Sequence, residues 1–262
     1  MRYNREKTLF VTDMDGTILG PDSQLSPYTV EVLREVVSRG FNITAASGRM
    51  PESPKRIFEE HDIELHLPII GRNGVLVYDS IQSEYLKIHK ISRESVAHIL
   101  GLIQKNGAQL FLVDTVENGR PKMTRRGAAV FSELIGDLGE TIYVAADGSF
   151  EQLAPIYEQA LRLPGIGGLL IHEETISENW CAEFFNEKAS KGNGVRFVME
   201  RYNFSYSVCF GDNKNDLSMF TVCDEAYVPE NAAPEVGAAA SAIIGPNTAD
   251  GVARWLEENL LG

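Results

Sequence analysis

Short apolar segments alternate with helical patterns at both ends of the chain, and this alternation limits the fold more than any other feature. In the first third, TLFVT and FNITAAS predict buried strands, separated by a helix that begins at Ser26-Pro27 and ends near Gly40. In the last quarter, a helix over 191–202 and the strand YSVCF repeat the pattern. Helices between buried strands indicate crossover connections and a parallel sheet. We therefore expect an α/β, doubly wound (Rossmann-like) core.

The middle of the chain follows a different pattern. A helix over 92–106 precedes two strands, AQLFLVDT and RPKMTR, whose connection contains the hairpin signal Asn118-Gly119. After another helix come the strand TIYVAA, a further helix, and the strands GLLIHEE and NWCAEFF. Strands paired side by side indicate a mainly antiparallel sheet. The sequence therefore predicts a core domain of residues 1–82 and 187–262, with an inserted α+β domain of residues 83–186.

Charge and composition weigh against several functions. The chain has 37 acidic and 24 basic residues and a net charge of -13, which disfavours binding to nucleic acid phosphates. No segment approaches the length of a membrane span, and the apolar run near the N-terminus is too short for a signal peptide. The three cysteines lack metal-ligand spacing and favour a reduced environment. We expect a cytoplasmic protein without nucleic acid or membrane partners; its oligomeric state is left open.

Carboxylates follow two of the predicted strands. Asp13 and Asp15 come after TLFVT, and Asp212 and Asp216 come after YSVCF. Each pair has a simpler explanation by itself, since Asp-Gly turns the chain and Asp or Asn caps helices. In a doubly wound sheet, however, ligands bind at the carboxyl edge. Four carboxylates at one edge would repel each other without a cation, and oxygen ligands of this kind suit Mg²⁺.

Two further short motifs are candidates for binding phosphate. Ser47 and Gly48 end the second strand in AASGR, where a hydroxyl and a backbone N–H can bind an anion before a helix. Lys191 opens a predicted helix, a position at which the macrodipole disfavours a cation. A phosphate or a phosphorylated carboxylate would explain that lysine. Ser-Gly pairs are also ordinary loop residues. Lys188 is a nearby competitor for the role of Lys191, and a solvated lysine is the simpler alternative for each of the two.

As a set, these motifs resemble the haloacid dehalogenase-like (HAD) superfamily, and specifically its Cof-like phosphatases of subclass IIB. FVTDMDGTIL, AASGR, ASKGNGV and CFGDNKNDLSMF resemble the four motifs of the family in their order along the chain. RNGV, ENA and ADGVARWL are further similar signatures. The insertion resembles the type B cap domain, which lies between motifs two and three. The resemblance covers nearly the whole chain and implies a phosphoric monoester hydrolase.

The resemblance also implies catalytic roles. Asp13 would be the nucleophile that forms an aspartyl-phosphate (phosphoaspartate). Asp15 would protonate the leaving oxygen and then activate water. Ser47 and Gly48 would bind the phosphate, and Lys191 would neutralise Asp13 and the transferring oxygens.

The same resemblance implies a metal site. Mg²⁺ would be held by Asp13, by Asp212 and by the backbone carbonyl of Asp15. Three residues would support this site: Thr17, Asn215 and Asp216.

The implied function is a Mg²⁺-dependent phosphatase that hydrolyses small phosphorylated metabolites, with sugar phosphates favoured over nucleotides or cofactor phosphates. One alternative is a phosphomutase of the same subclass, for example one like phosphomannomutase, since such enzymes carry the same four motifs. A non-catalytic, phosphate-binding regulatory module is a second alternative.

Overall fold

A computed structural model describes residues 2–125, 140–172 and 180–262 of the chain. The chain divides into two compact units, Met1–Lys87 with Ser190–Gly262, and Ile88–Ala189. The division falls a few residues beyond the positions 82 and 186 proposed from sequence, because the strand Glu84–Ile88 adds to a sheet of the first unit. Among the described residues, no helix combines the length and the apolar character needed to cross a bilayer.

The first unit, the core domain, contains a parallel sheet and a small second sheet. Its strands are β1 (Thr8–Thr12), β2 (Asn42–Ala45), β3 (Ile69–Gly71), β4 (Leu76–Asp79), β5 (Glu84–Ile88), β11 (Tyr206–Phe210), β12 (Glu225–Pro229) and β13 (Ala242–Ile244). Five of them form the parallel sheet in the order β13-β12-β11-β1-β2. The predicted parallel α/β core is therefore confirmed.

Helices cover both faces of this sheet. The core helices are α1 (Pro27–Ser38), α2 (Glu52–Glu59), α5 (Lys191–Tyr202), α6 (Leu217–Phe220), α7 (Pro234–Gly237) and α8 (Gly251–Leu256). Successive strand residues point to opposite faces. Phe10 accordingly belongs to the hydrophobic cluster that contains residues of α1 and α8, whereas Leu9 and Val11 belong to the cluster that contains residues of α5. This arrangement makes the core doubly wound.

The strands β3, β4 and β5 form a separate three-stranded sheet. β3 and β4 are antiparallel because the turn Arg72–Gly74 reverses the chain between them. A single parallel bridge between Ala46 and Ile70 links this sheet to the end of β2. The turn therefore lies close to the end of the second strand, where AASGR is located.

The second unit, the inserted domain, is an antiparallel sheet with two described helices. These elements are α3 (Arg93–Lys105), β6 (Gln109–Glu117), β7 (Arg120–Arg125), β8 (Thr141–Gly148), α4 (Phe150–Ala160), β9 (Ile166–His172) and β10 (Trp180–Asn186). The strand order is β7-β6-β8-β10-β9. Both residues of the predicted hairpin turn, Asn118 and Gly119, have positive φ angles. The helix predicted between RPKMTR and TIYVAA lies outside the described residues.

The helices of the inserted domain pack on the sheet through alternate strand residues. Val144 and Phe184 share one hydrophobic cluster with Ile99 of α3 and Ile156 of α4. The predicted α+β insertion is confirmed.

A buried carboxylate fastens the N-terminal segment to the core sheet. Glu225 opens β12 and is only 8% exposed. It accepts hydrogen bonds from the hydroxyls of Tyr3, Tyr206 and Tyr227 and from the guanidinium of Arg2, which lies 2.8 Å from both carboxylate oxygens. Glu225 opens its strand, so this cluster lies at the amino edge, opposite the edge that carries the sequence motifs.

We expect Glu225→Gln to lower the free energy of unfolding by roughly 2–4 kcal/mol, because a charged acceptor of several buried hydrogen bonds is replaced by a neutral amide. Tyr206→Phe, which removes one of these donors, should cost about 1 kcal/mol. Urea denaturation of the three proteins measures both values. Equal stability of wild type and Glu225→Gln would show that the negative charge of Glu225 contributes nothing.

The difference in stability between wild type and Glu225→Gln should depend on pH. Burial acts to raise the pKa of Glu225, but hydrogen bonds from Tyr206 and Tyr227 and the charge of Arg2 outweigh it and lower the pKa below its ordinary value. The stabilisation is therefore complete above the unfolded-state pKa of about 4.3 and is lost as the pH falls through the lower folded-state pKa. The stability difference between wild type and Glu225→Gln should shrink over that acidic range.

Candidate active site

The predicted site residues lie at the carboxyl ends of three core strands. Asp13 directly follows β1, and its N–H donates to the carbonyl of Phe210 at the end of β11 at 2.9 Å. Asp212 follows β11 by one residue. Ser47 follows β2, and its N–H donates to the carbonyl of Ile70 at 2.9 Å. The parallel sheet therefore brings together motifs that are far apart in sequence.

Lys191, the first residue of α5, connects two of the carboxylates. Its Nζ donates to Oδ1 of Asp13 and to Oδ1 of Asp216, each at 2.6 Å. The lysine is 1% exposed, Asp13 is 6% exposed and Asp216 is fully buried. Burial alone would lower the pKa of Lys191, but Asp13 and Asp216 raise it above its ordinary value. Lys191 is therefore a buried cation with two anionic partners.

Three carboxylates lie close together here, and Lys191 pairs with two of them. Asp13, Asp212 and Asp216 each offer an oxygen within 4.8 Å of the others. Burial and the charge of Asp216 raise the pKa of Asp13 well above its ordinary value, although Lys191 opposes the shift. The pKa of Asp212 is raised by the same two causes. The cluster thus has more negative than positive charge, and its oxygen ligands fit a hard divalent cation.

The three carboxylates are not equally available to a cation. Asp216 uses Oδ1 to accept from Lys191, and its Oδ2 accepts from the backbone N–H groups of Asp212 and Asn213, each at 3.0 Å. Both oxygens of Asp216 are therefore engaged in shaping the loop after β11. Asp13 and Asp212 are the carboxylates that are best placed to hold a metal ion.

The segment DMDGT, residues 13–17, packs closely against the loop after β11. Thr17 donates from Oγ1 to Oδ1 of Asp212 at 2.9 Å. Gly16 has a φ of 75°, and a Cβ atom there would lie 2.3 Å from Oδ2 of Asp212. Asn231, from the ENA signature, donates to the carbonyl of Gly16 at 2.8 Å. Only glycine fits at position 16, and Thr17 orients Asp212.

Asp15 has a different environment from Asp13. Its side chain is 51% exposed. It is bound by the guanidinium of Arg49, with Nε 2.7 Å from Oδ2 and Nη2 hydrogen-bonded to Oδ1. Pairing between β1 and its neighbours ends at Thr12, so the alternation of a strand does not continue to Asp15. The exposed carboxylate can reach a ligand, and Arg49 fixes its orientation.

Sequence reasoning did not assign a role to Arg49 or to Asn73. Arg49 directly follows Ser47-Gly48, and this place in AASGR is the only signal in the sequence that could have identified it. Asn73 lies in RNGV, donates its N–H to the carbonyl of Ser47 at 3.0 Å and accepts from Nδ2 of Asn215 at 3.0 Å. The Asn-Gly pair indicates only a turn, so this link between two motifs could not be read from it.

A parallel core interrupted by an antiparallel insertion, with its polar residues gathered at the carboxyl edge, is typical of an α/β enzyme with an inserted domain. Residues 10–122 and 146–256 match the family model of the haloacid dehalogenase-like hydrolases. The chain belongs to this family, and the resemblance seen in its four motifs is confirmed.

Several relatives are phosphatases by name. The pyridoxal phosphate phosphatase YbhA of Escherichia coli is 24% identical over 269 residues, covering 95% of this chain and 97% of the relative. The 5-amino-6-(5-phospho-D-ribitylamino)uracil phosphatase YitU of Bacillus subtilis is 22% identical, covering 95% and 96%. The solved structure of the HAD subclass IIB sugar phosphatase BT4131 has a TM-score of 0.74 at 18% identity, covering 96% of this chain and 98% of its own. This last similarity shows a shared fold.

Proposed function

We propose that the protein is a Mg²⁺-dependent phosphatase that hydrolyses small phosphorylated metabolites through an aspartyl-phosphate on Asp13. The observation that carries this proposal is the buried ion pair at the carboxyl edge, in which Lys191 binds Oδ1 of Asp13 at 2.6 Å. A lysine in this place orients the carboxylate and can offset the charge of a phosphoryl group that approaches it.

The chemistry assigns different tasks to the two aspartates. An oxygen of Asp13 attacks phosphorus, the bond from phosphorus to the ester oxygen breaks, and Asp15 gives its proton to the departing oxygen. In the second half, Asp15 takes a proton from water, whose oxygen attacks phosphorus and releases Asp13 and inorganic phosphate. The exposure of Asp15 suits a group that transfers protons to and from a substrate, and this role requires the carboxylate to exchange its ion pair with Arg49 for a proton.

The other site residues bind the phosphoryl group or the metal. The hydroxyl of Ser47 and the backbone N–H of Gly48 would hold phosphoryl oxygens. Asp13, Asp212 and the backbone carbonyl of Asp15 would hold Mg²⁺, which supplies positive charge to the carboxylates and the phosphoryl oxygens when it is bound. Three residues would support these ligands, namely Thr17, Asn215 and Asp216.

The proposed substrates are small phosphorylated metabolites, and sugar phosphates come first. The relatives are named for pyridoxal phosphate, for a phosphoribitylaminouracil and for sugar phosphates. A screen for phosphate release should therefore include all three chemical groups, with p-nitrophenyl phosphate as a general substrate.

We expect removal of divalent metal with EDTA to abolish phosphate release, and added Mg²⁺ to restore it, because Lys191 alone does not balance the charge of the three carboxylates. Mg²⁺ should also raise the melting temperature of the metal-free protein, since it binds the folded state only. Isomerised sugar phosphate without free phosphate would identify a phosphomutase instead. No turnover on any phosphate ester, with or without Mg²⁺, would contradict the proposed enzyme and favour a phosphate-binding module.

A further inference from the structure

The turn between β3 and β4 has a backbone that is costly for its sequence. Arg72, Asn73 and Gly74 have consecutive φ angles of 48°, 53° and 91°. The left-handed region is unfavourable for residues other than glycine, although asparagine tolerates it better than most. Strained backbone of this kind persists where surrounding contacts determine it, and it is common at functional sites.

The contacts of this turn reach the phosphate-binding loop. The N–H of Arg72 donates to the carbonyl of Arg49 at 2.9 Å, and the N–H of Asn73 donates to the carbonyl of Ser47 at 3.0 Å. Nη1 of Arg72 lies 3.3 Å from the carbonyl of Gly48. The turn therefore binds the backbone of all three residues of the Ser-Gly-Arg motif.

The same turn reaches the start of α5. A Cβ atom on Gly74 would lie 2.0 Å from the carbonyl oxygen of Ser190, the residue that caps the helix on which Lys191 lies. Glycine at this position allows the two backbones to approach.

The side chain of Asn73 connects the phosphate-binding loop to the loop after β11. Asn73 is 4% exposed, and its Oδ1 accepts from Nδ2 of Asn215 at 3.0 Å. Its amide atoms also lie 3.4–3.5 Å from the place that a Cβ on Gly48 would occupy. Oδ1 of Asn215 is buried and has no hydrogen-bond partner within the described residues. Asn73 therefore binds the Nδ2 group of Asn215, while Oδ1 of Asn215 is available to accept a hydrogen bond.

We propose that Asn73 is a positioning residue. It contacts Gly48 of the phosphate-binding loop and Asn215 of the loop that carries Asp212 and Asp216, and it thereby fixes the position of one loop relative to the other. The hydrogen bond from Nδ2 of Asn215 to Asn73 fixes the orientation of the Asn215 amide. Oδ1 of Asn215 can then accept a hydrogen bond from a donor that is present when the site is occupied. The strain at Arg72 and Asn73 is then offset by the contacts that link three of the four motifs. This inference rests on the phosphatase function proposed above.

The variant that tests this role is Asn73→Gly, because glycine adopts the same backbone conformation and lacks the amide. We expect kcat/KM for p-nitrophenyl phosphate to fall about 10- to 100-fold, as is typical when a residue that orients a ligand-binding group is lost. Inhibition by orthovanadate, which measures binding to the phosphoryl site without turnover, should weaken by a similar factor. Circular dichroism should show a folded protein.

The matched control is Asn203→Gly. Asn203 has a φ of 57°, ends α5 as its exposed C-cap and lies outside the site, so the same chemical change is made in the same backbone conformation. We expect its kcat, KM and vanadate inhibition to equal those of the wild type.

A double-mutant cycle with Asn215→Ala tests whether Asn73 acts through Asn215. We expect the fold-loss of kcat/KM in Asn73→Gly/Asn215→Ala to be smaller than the product of the fold-losses in the two single variants, because the effects of residues in one hydrogen-bond network are not additive. A fold-loss in the double variant equal to the product of the two single fold-losses would contradict the coupling. Wild-type kinetics and vanadate inhibition in Asn73→Gly would overturn the positioning role, whereas an inactive wild type would contradict the proposed function itself.

Discussion

Asp13→Asn is expected to lower phosphate release by roughly 10³-fold or more, because an amide cannot replace the attacking carboxylate oxygen. The fold should tolerate this change. Asparagine has nearly the same shape, and its carbonyl oxygen can still accept from Lys191, which lies 2.6 Å from Oδ1 of Asp13. Phosphate release from p-nitrophenyl phosphate under saturating Mg²⁺ measures the effect.

Stability gives a second, independent readout for the same variant. Because Asp13, Asp212 and Asp216 lie within 4.8 Å of one another with one lysine between them, removing one charge relieves repulsion in the metal-free protein. We therefore expect the melting temperature of Asp13→Asn in EDTA to equal or exceed that of the wild type. Lower activity caused by unfolding would appear instead as a lower melting temperature.

The matched control for this variant is Asp62→Asn, which makes the same change on a side chain that is 93% exposed. We expect its turnover to equal that of the wild type. If Asp13→Asn retained as much as a tenth of wild-type turnover, Asp13 could not be the nucleophile.

The fold class could be predicted from sequence because its signals are local. The alternation of apolar strands and amphipathic helices indicates a parallel sheet without any knowledge of distant contacts. YSVCF forms β11 and the helix predicted over 191–202 is α5, as the structure shows. The antiparallel pairing of β3 and β4 was not predicted, although Asn73-Gly74 is the same hairpin signal as Asn118-Gly119. This turn also needs a positive φ angle at Arg72, for which the sequence gives no signal.

The candidate site could be predicted only in part, for a related reason. Residues within two positions of a strand end are brought to one edge by the sheet itself, and this applies to Asp13, Ser47 and Asp212. The different environment of Asp15 arises from the end of strand pairing at Thr12 and from the reach of a long arginine side chain. Such contacts depend on tertiary geometry, so Arg49 carried no signal beyond its place in AASGR.

Lys191→Met is expected to have the largest combined effect on stability and activity. Lys191 is 1% exposed and donates to Asp13 and Asp216, so its removal leaves buried carboxylates without their cation. Loss of one partner from a buried ion pair typically costs about 3–5 kcal/mol of unfolding free energy. Turnover should fall together with stability, because the charge that offsets the phosphoryl group is lost as well.

Two rescues separate an electrostatic cause from a packing defect in Lys191→Met. The double variant Lys191→Met/Asp216→Asn removes one of the uncompensated carboxylates, so we expect it to regain much of the lost stability in urea denaturation but little of the lost turnover. Mg²⁺ should stabilise Lys191→Met more than the wild type, since the cation meets a larger excess of negative charge. Lys188→Met, on an exposed lysine three residues earlier, should change neither property. A loss of stability that neither Asp216→Asn nor Mg²⁺ reduces would show that Lys191 acts through packing rather than through its charge.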